Sequence, residues 1–466
     1  MKTQHLRIAA GILLALSCAQ RGMAGETDLP AAVLAFDRAN AEQASSNTNR
    51  FARPGVAANR ETGEVRILAQ ATGVGVGDPI EFVLISPNSG HDYEAAAVAF
   101  ASPSDVYGAM RFLGVSPGRP VDPKSLVFWP KGERVRVTVT GHSTNLWPGE
   151  IAAEKLIRNV KTGEAMNDSG FIFSGSKWIE EDSAPAYLPD LAEPHAIISL
   201  YNEPATVFDV PRLAPQNSLY DTLFPNPEFL PPTNALLEFA LRPEPGKTVD
   251  LAMHVAPKNS NPVTLADVAC FITPLPEGSG NGSLYPLTEA VKHFSQLTDD
   301  GKDVFVHAGF DDAMPVRLIQ QVCAALNDIE GEMGIRIEPP PDGQLYYKAF
   351  IGDERHRERE GRIQQPWELR LFEAQPGRTN FLTQINEHWR DNQIKPDLEP
   401  VNHPVAKPQD LRARLDELGP GLPVILVFAT PALTHGTLMR FLGPVLSTHG
   451  IIHIYLEERP HKADAG

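Results

Sequence analysis

His91, Asp92 and Glu94 fall within four residues of one another in the polar stretch Ser89-Gly90-His91-Asp92-Tyr93-Glu94, which separates two apolar runs. An imidazole and two carboxylates this close have the chemistry to ligate a metal ion or to move protons. Ligands so tightly spaced need a further group from elsewhere to close a site. Asp105 could supply it, as could Asn202 or Glu203 in the run Tyr201-Asn202-Glu203 that ends a later apolar segment. The plainer alternative has Asp92 and Glu94 capping turns and pairing with Arg111 or Arg134.

Two other constellations are weaker. Ser174-Gly175-Ser176-Lys177 fits S-x-x-K, but that motif works at a helix start, and here it lies in an aromatic run. A strand bend is expected instead. His307 stands at the end of an apolar run with Asp311 and Asp312 following, a place where α/β units often bind ligands. The matching place later in the chain carries Phe428 and no acids, which favours helix capping by Asp311 or Asp312. None of the fourteen histidines forms a metal-ligand pair of recognisable spacing, and H-E-x-x-H, G-x-S-x-G, a P-loop and C-x-x-C are missing. No cofactor is expected.

The elements that must position these residues read as follows. Residues 25–62 are polar and form a linker with a short helix, Pro30 to Ala44. Glu64 to Ala71 alternates as a strand, and Gly73, Gly75 and Gly77 form a hairpin turn into the strand Glu81–Ser86. They do not make a dinucleotide loop, because no helix follows. Ser102-Pro103-Ser104-Asp105 starts a helix, which Gly114 and Pro117-Gly118 end. Arg134 to Thr140 alternates Val against Arg and Thr, as a half-buried strand does. A helix over Ile151–Asn159, a bent strand over Phe171–Trp178, and strands over His195–Tyr201 and Leu236–Arg242 complete a domain of residues 63–245.

From residue 246 the rhythm changes. Strands at Leu251–Val255 and Val268–Thr273 and a flexible Gly278–Ser283 loop lead into helix Leu287–Leu297, strand Asp303–Ala308, helix Pro315–Ile329 and strand Gly334–Glu338. The last residues repeat the cadence: helix Leu411–Leu418, strand Pro423–Ala429, helix Thr437–Ser447, strand Ile451–Leu456. Two α-β-α-β copies are inferred, about 284–338 and 409–458, with helices packed on a sheet. A proline-rich insertion, 339–408, separates them, with strands at Tyr346-Tyr347 and Trp367 and a helix over Phe381–Arg390. The fold class is therefore α+β: a mixed N-terminal domain followed by a duplicated α/β domain.

Lys2 and Arg7, the apolar run Ile8–Ala19 and the small residues Gly22 and Ala24 make a secretory signal cleaved after Ala24. Ala15-Leu16-Ser17-Cys18 offers a rival. It resembles a bacterial lipoprotein box with Ala15 at the usual Leu position, and Cys18 would then carry the lipid anchor. No later segment is apolar enough to span a membrane. Net charge is −17, or −20 once the leader is gone, so nucleic acid is not an expected partner. The arginine-rich Glu354–Arg362 interleaves Glu and reads as a solvated helix face. Cys270, in a strand, and Cys323, on a helix, could pair in an oxidising compartment or remain buried thiols.

The first region resembles the YdjY-type domain of exported bacterial proteins. The likeness is carried in order by Phe82-Val-Leu-Ile-Ser-Pro87, Asp92-Tyr93-Glu94, Pro103-Ser104-Asp105-Val106, Phe112-Leu113-Gly114 with Pro117-Gly118, Gly132-Glu133-Arg134-Val135, Phe173-Ser174-Gly175-Ser176 and Ser199-Leu200-Tyr201-Asn202-Glu203-Pro204, within residues 64–245. Tyr93 stands where many members carry His, and the resemblance supplies no catalytic residues. The second region resembles the soluble domain of the ExbD/TolR biopolymer-transport family in its strand, polar turn, helix and strand, over Val304–Ile337 and Val424–Leu456.

These observations give an exported envelope protein, periplasmic or secreted, that binds a ligand or an envelope partner. His91, Asp92, Tyr93, Glu94, Tyr201, Asn202 and Glu203 form its candidate binding surface. A metal-dependent hydrolase centred on His91–Glu94 is the second reading. A soluble relative of a biopolymer-transport component is the third.

Overall fold

The computed structural model describes residues 29–122, 127–142, 145–167, 169–181, 183–275, 282–338, 345–351, 367–372, 379–384, 387–390, 393–396, 401–417, 424–446 and 451–456. The readings placed on Cys18, Ala24, Glu354–Arg362, residues 278–281 and Leu418 lie outside the described residues.

The N-terminal domain closes its sheet into a barrel. Strand Glu64–Ala71 pairs with Leu236–Glu244, which pairs with Glu133–Gly141, and that with Phe171–Phe173. Thr206–Asp209, Ala196–Ser199, Phe82–Ile85 and Ala95–Ala99 follow, and the last pairs back onto Glu64–Ala71. Alternation decides which face is inside. Val135, Val137 and Val139 join the barrel core with Val65, Ile67, Leu237 and Phe239. Leu68 and Leu236 point the other way, to a small cluster around Phe36. Closure leaves the strands of this ring no free edge.

Phe36 belongs to helix Leu29–Ser46, which is longer than the expected linker helix. The following residues are not a linker either: Arg50–Arg53 and Val56–Asn59 form a hairpin, and the second strand pairs with Glu64–Ala71. Gly55 makes that turn at φ 68°, and an added Cβ would lie 2.4 Å from the Phe100 carbonyl carbon. The Gly73–Gly77 stretch is not a hairpin turn, since Ala95–Ala99 lies between the strands it connects. Ile151–Asn159 is no helix. Ile151–Ala152 pairs with the Glu133–Gly141 strand, Ile157–Asn159 pairs with Leu223–Pro225, and a single tight turn joins them. Pairing partners distant in sequence override a helix this short. The helix Pro103–Phe112 forms as expected, with the Asp105 amide donating to Ser102 Oγ at 3.1 Å.

The C-terminal half holds two five-stranded sheets of identical order. The first runs Ser283–Pro286, Val268–Pro274, Thr248–Pro257, Asp303–Phe310, Arg336–Glu338. The second runs Val401–Pro404, Phe381–Gln384, Trp367–Leu371, Val424–Ala429, Ile451–Leu456. In each, the first three strands are antiparallel and the last three parallel. The copies therefore begin at Thr248 and Trp367, earlier than the helix cadence implied, and the proline-rich insertion contains the opening strands of the second. Phe381–Arg390 is two strands, Phe381–Gln384 and Glu387–Arg390, and Tyr347–Ala349 is one turn of 3-10 helix. Both sheets and their helices share one core, in which Cys270 and Cys323 remain free thiols.

The two copies meet about a local twofold. The Val316 amide donates to Leu433 O and the His435 amide to Met314 O, both at 2.8 Å. Arg317 N to Pro431 O and Gly436 N to Asp312 O repeat the exchange one residue on. Asp311 caps its own turn through the Ala313 amide, not the helix, whose N-cap is Pro315.

Barrel and repeats are joined through charge. Asp303, at the start of its strand, takes Arg134 Nη2 from the barrel at 2.6 Å and Arg336 Nη1 from the repeat at 3.1 Å. Glu338 receives Arg119 and the Trp129 indole, and Asp250 receives Lys131 and His307. Phe305 packs against Val127 and Trp129 and lies under the Lys131 and Arg336 cations. Asp303→Ala would leave two partly buried guanidinium groups unmatched, and breaking such a set costs about 3–5 kcal/mol. Chemical denaturation should show that loss together with new protease cleavage between Glu244 and Thr248. An unchanged midpoint and cleavage pattern would show that the joint is not held by this contact.

Candidate functional site

The barrel topology brings three chain segments to one end. Strand Phe82–Ile85 lies between Ala95–Ala99, parallel to it, and Ala196–Ser199, antiparallel to it. Phe82 is therefore level with both Ala95 and Ser199. The residue before Phe82, the loop before Ala95 and the chain after Ser199 must converge. Glu81 is the junction: its amide donates to Glu94 O and its carbonyl accepts from the Leu200 amide, each at 2.9 Å.

Around that junction the side chains are bound to one another. His91 Nδ1 lies 2.5 Å from Glu94 Oε1, and the Tyr93 hydroxyl lies 3.5 Å from the same nitrogen. Tyr201 donates to Glu203 Oε2 at 3.2 Å, Gln216 Nε2 to Glu81 Oε2 at 3.0 Å, and Asn202 Nδ2 to Asp209 Oδ1 at 2.9 Å. Glu81, Glu203 and Asp209 are buried, and Oε1 of Glu81 and of Glu203 has no hydrogen-bond partner among the described residues. Tyr93, by contrast, is 63% exposed.

Burial governs the protonation of this set. It pushes the Glu203 carboxyl up to about 7, with the nearby Glu81 charge adding to the effect. Burial, then Glu203, raises Asp209 well above the carboxylate range. The Tyr201 hydroxyl is raised by burial and by the fields of Glu203, Glu81 and Glu94. Glu81 beside the Tyr220 hydroxyl pushes that phenol up to about 12. Burial thus makes the Glu203 and Asp209 carboxyls and the Tyr201 phenol hold their protons to higher pH beneath an exposed aromatic surface.

Five of the seven expected residues, His91, Glu94, Tyr201, Asn202 and Glu203, come together here. Asp92 and Tyr93 lie in the same turn and face solvent. Asp105 is elsewhere, 3.8 Å from Arg53. The expected pairing of Asp92 and Glu94 with Arg111 or Arg134 does not occur: Arg111 donates to Val115 O and Arg134 binds Asp303. Among the described residues, no three His, Cys, Asp or Glu side chains are placed to hold a metal ion. Ser174 is buried against the Thr206 and Val207 carbonyls in the expected bend. Glu81, Asp209, Gln216 and Tyr220 were not legible as site residues; the one available signal was a lone acid at the head of the apolar run EFVLI.

Next to the cluster the segment 212–223 walls a cavity of about 890 Å³ against the 154–167 stretch. Asn202 ties the two features together, because its Oδ1 accepts from the Ala214 amide at 2.6 Å and Ala214 lines the cavity. Arg212 lines it as well.

No family model matches the chain, and no curated protein matches it. Among solved structures, a Bacteroides thetaiotaomicron protein described as having an actin-like ATPase fold and unknown function is 9% identical. The match covers 45% of this chain and 91% of that chain at a TM-score of 0.14, which carries no argument about fold or function.

Glu203 makes the domain pH-sensitive in a definite direction. An unfolded Glu releases its proton near 4.5, whereas the folded chain keeps it to about 7. As pH rises through that window the unfolded state loses its proton first, so stability falls by about 3 kcal/mol. Glu203→Gln should equal the wild type near about pH 4 and exceed it near about pH 8 in denaturant titrations. A variant less stable by the same amount at every pH would contradict this.

Proposed function

We propose that the chain is an exported envelope protein that acts by binding, with a YdjY-type barrel and a pair of ExbD/TolR-like repeats held to it by the Asp303 and Glu338 ion pairs. The observation that carries the binding reading is how the groups at the barrel end use their hydrogen bonds. His91 is spent on Glu94, Tyr201 on Glu203, Gln216 on Glu81 and Asn202 on Asp209, so the polar groups brace one another. What they brace is a surface carrying Tyr93, Asp92 and Tyr220. A rigidly mounted, exposed tyrosine is a common anchor of protein interfaces, since it offers large contact area at small entropic cost. The metal-dependent hydrolase reading has no comparable support, because the His91 imidazole and the Glu94 carboxylate are turned on each other.

A photo-crosslinking amino acid at position 93, in cells carrying the full chain, tests this. Discrete adducts from position 93, and none from the equally exposed Leu34, are expected. The adducts should be found with a processed N-terminus, cut after Ala24 or modified at Cys18. Adducts absent at 93, or equal at 34, would contradict the binding surface; an unprocessed chain retained in the cytoplasm would contradict export.

A further inference from the structure

Arg212 has no ion-pair partner within contact distance among the described residues. The arginines at the domain joint each rest on a carboxylate: Arg134 and Arg336 on Asp303, Arg119 on Glu338. Arg212 is partly buried and makes no hydrogen bond or ion pair with any described residue. Burial draws its guanidinium below its ordinary value, and the acids whose fields it feels are Glu154 and Asp209. Neither makes a hydrogen bond or ion pair with it. Glu154 is buried and takes the Gly170 amide at 2.8 Å, while Asp209 is held by Asn202 and by the Val210 and Glu203 amides. A desolvated charge left unmatched is costly, and the protein tolerates it where a ligand supplies the opposite charge.

The surroundings fit such a ligand. Arg212 lies on the wall of the cavity of about 890 Å³, a size typical of small-molecule sites. Lys155 and Lys161 stand on the same wall with Glu154, Glu164 and Asp221, and Asn167, Asn217 and Thr222 add amide and hydroxyl groups. A guanidinium binds a carboxylate through two parallel N–H···O bonds, and short polar side chains suit hydroxyl groups. We propose that this cavity binds a small polyhydroxylated organic acid, such as a sugar acid, with its carboxylate on Arg212 and its hydroxyls on the amide and hydroxyl side chains. The site shares the barrel with the Tyr93 surface but none of its residues, so either can fail alone.

The test uses the intact mature protein and calorimetric titration with glucuronate, galacturonate and tartrate, with glucose and inorganic phosphate as comparators. At least one of the three acids should bind and raise the melting temperature, and glucose should do neither. A glucuronate-ended disaccharide as an added arm reports whether the acid is taken free or as the end of a longer glycan, and binding of either form supports the site. Arg212→Met should weaken acid binding roughly tenfold to a hundredfold, the worth of a charged hydrogen-bond pair. Because it also removes a desolvated charge, the free variant should melt at or above the wild type; Arg212→Lys should retain part of the affinity. The proposal is overturned if none of the three acids binds, if glucose or phosphate binds as tightly as the best acid, or if Arg212→Met leaves binding unchanged. A free Arg212→Met protein that melts well below the wild type would assign the residue to structure and overturn it too.

Discussion

A charge taken out of water must be matched, neutralised or met by something that arrives later, and this protein uses all three solutions. At the joint between barrel and repeats the charges are matched, with Asp303 held by one arginine from each side and Glu338 by Arg119. At the barrel end burial makes the carboxyls of Glu203 and Asp209 keep their protons to higher pH than a solvated carboxyl would. At the cavity wall Arg212 has no contacting ion-pair partner among the described residues. The first arrangement fixes how the halves of the chain sit, the second stiffens the surface that carries Tyr93, and the third marks a place for an anion.

Barrel closure makes the second arrangement possible. Glu81, the loop ending at Glu94 and the segment beginning at Leu200 are far apart in sequence, and they meet because Phe82 is level with Ala95 and Ser199 in neighbouring strands. All four residues of Phe82–Ile85 are buried in the core, so packing on both faces of the strand holds the register that positions Glu81. Chemistry and packing are set by the same pairing.

Local patterns were readable from the residues, and non-local pairings were not. The Val135–Val137–Val139 alternation and the Ser102 cap each report on a few neighbouring positions, and the structure agrees with both. The loop at Gly90–Glu94 stands out for polar density and the strand end at Tyr201–Glu203 as its possible partner, and both segments adjoin Glu81. By contrast, 25–62 reads as a linker because its hairpin is stable only against Glu64–Ala71. Ile151–Asn159 and Phe381–Arg390 read as helices because their apolar spacing is ambiguous over so short a span, and their strand partners lie elsewhere. The repeats were visible through their helices, whose period is strong. Their opening strands, Thr248–Pro257 and Trp367–Leu371, share no motif a reader of the chain could align. Arg212 does not stand out in the sequence, since what distinguishes it is the lack of a contacting partner among the described residues in three dimensions.

The account stands or falls on whether buried carboxyls at the barrel end are neutral. Selective carbon-13 labelling of glutamate carboxyls, with the Glu203 resonance assigned by substitution, would follow that group through a pH titration of the intact chain. A midpoint near about 7 is predicted, against the ordinary value of 4.5. A midpoint at the ordinary carboxylate value would contradict the account, because Glu203 would then be solvated or paired and the cluster would not be the neutral, self-bonded support described above.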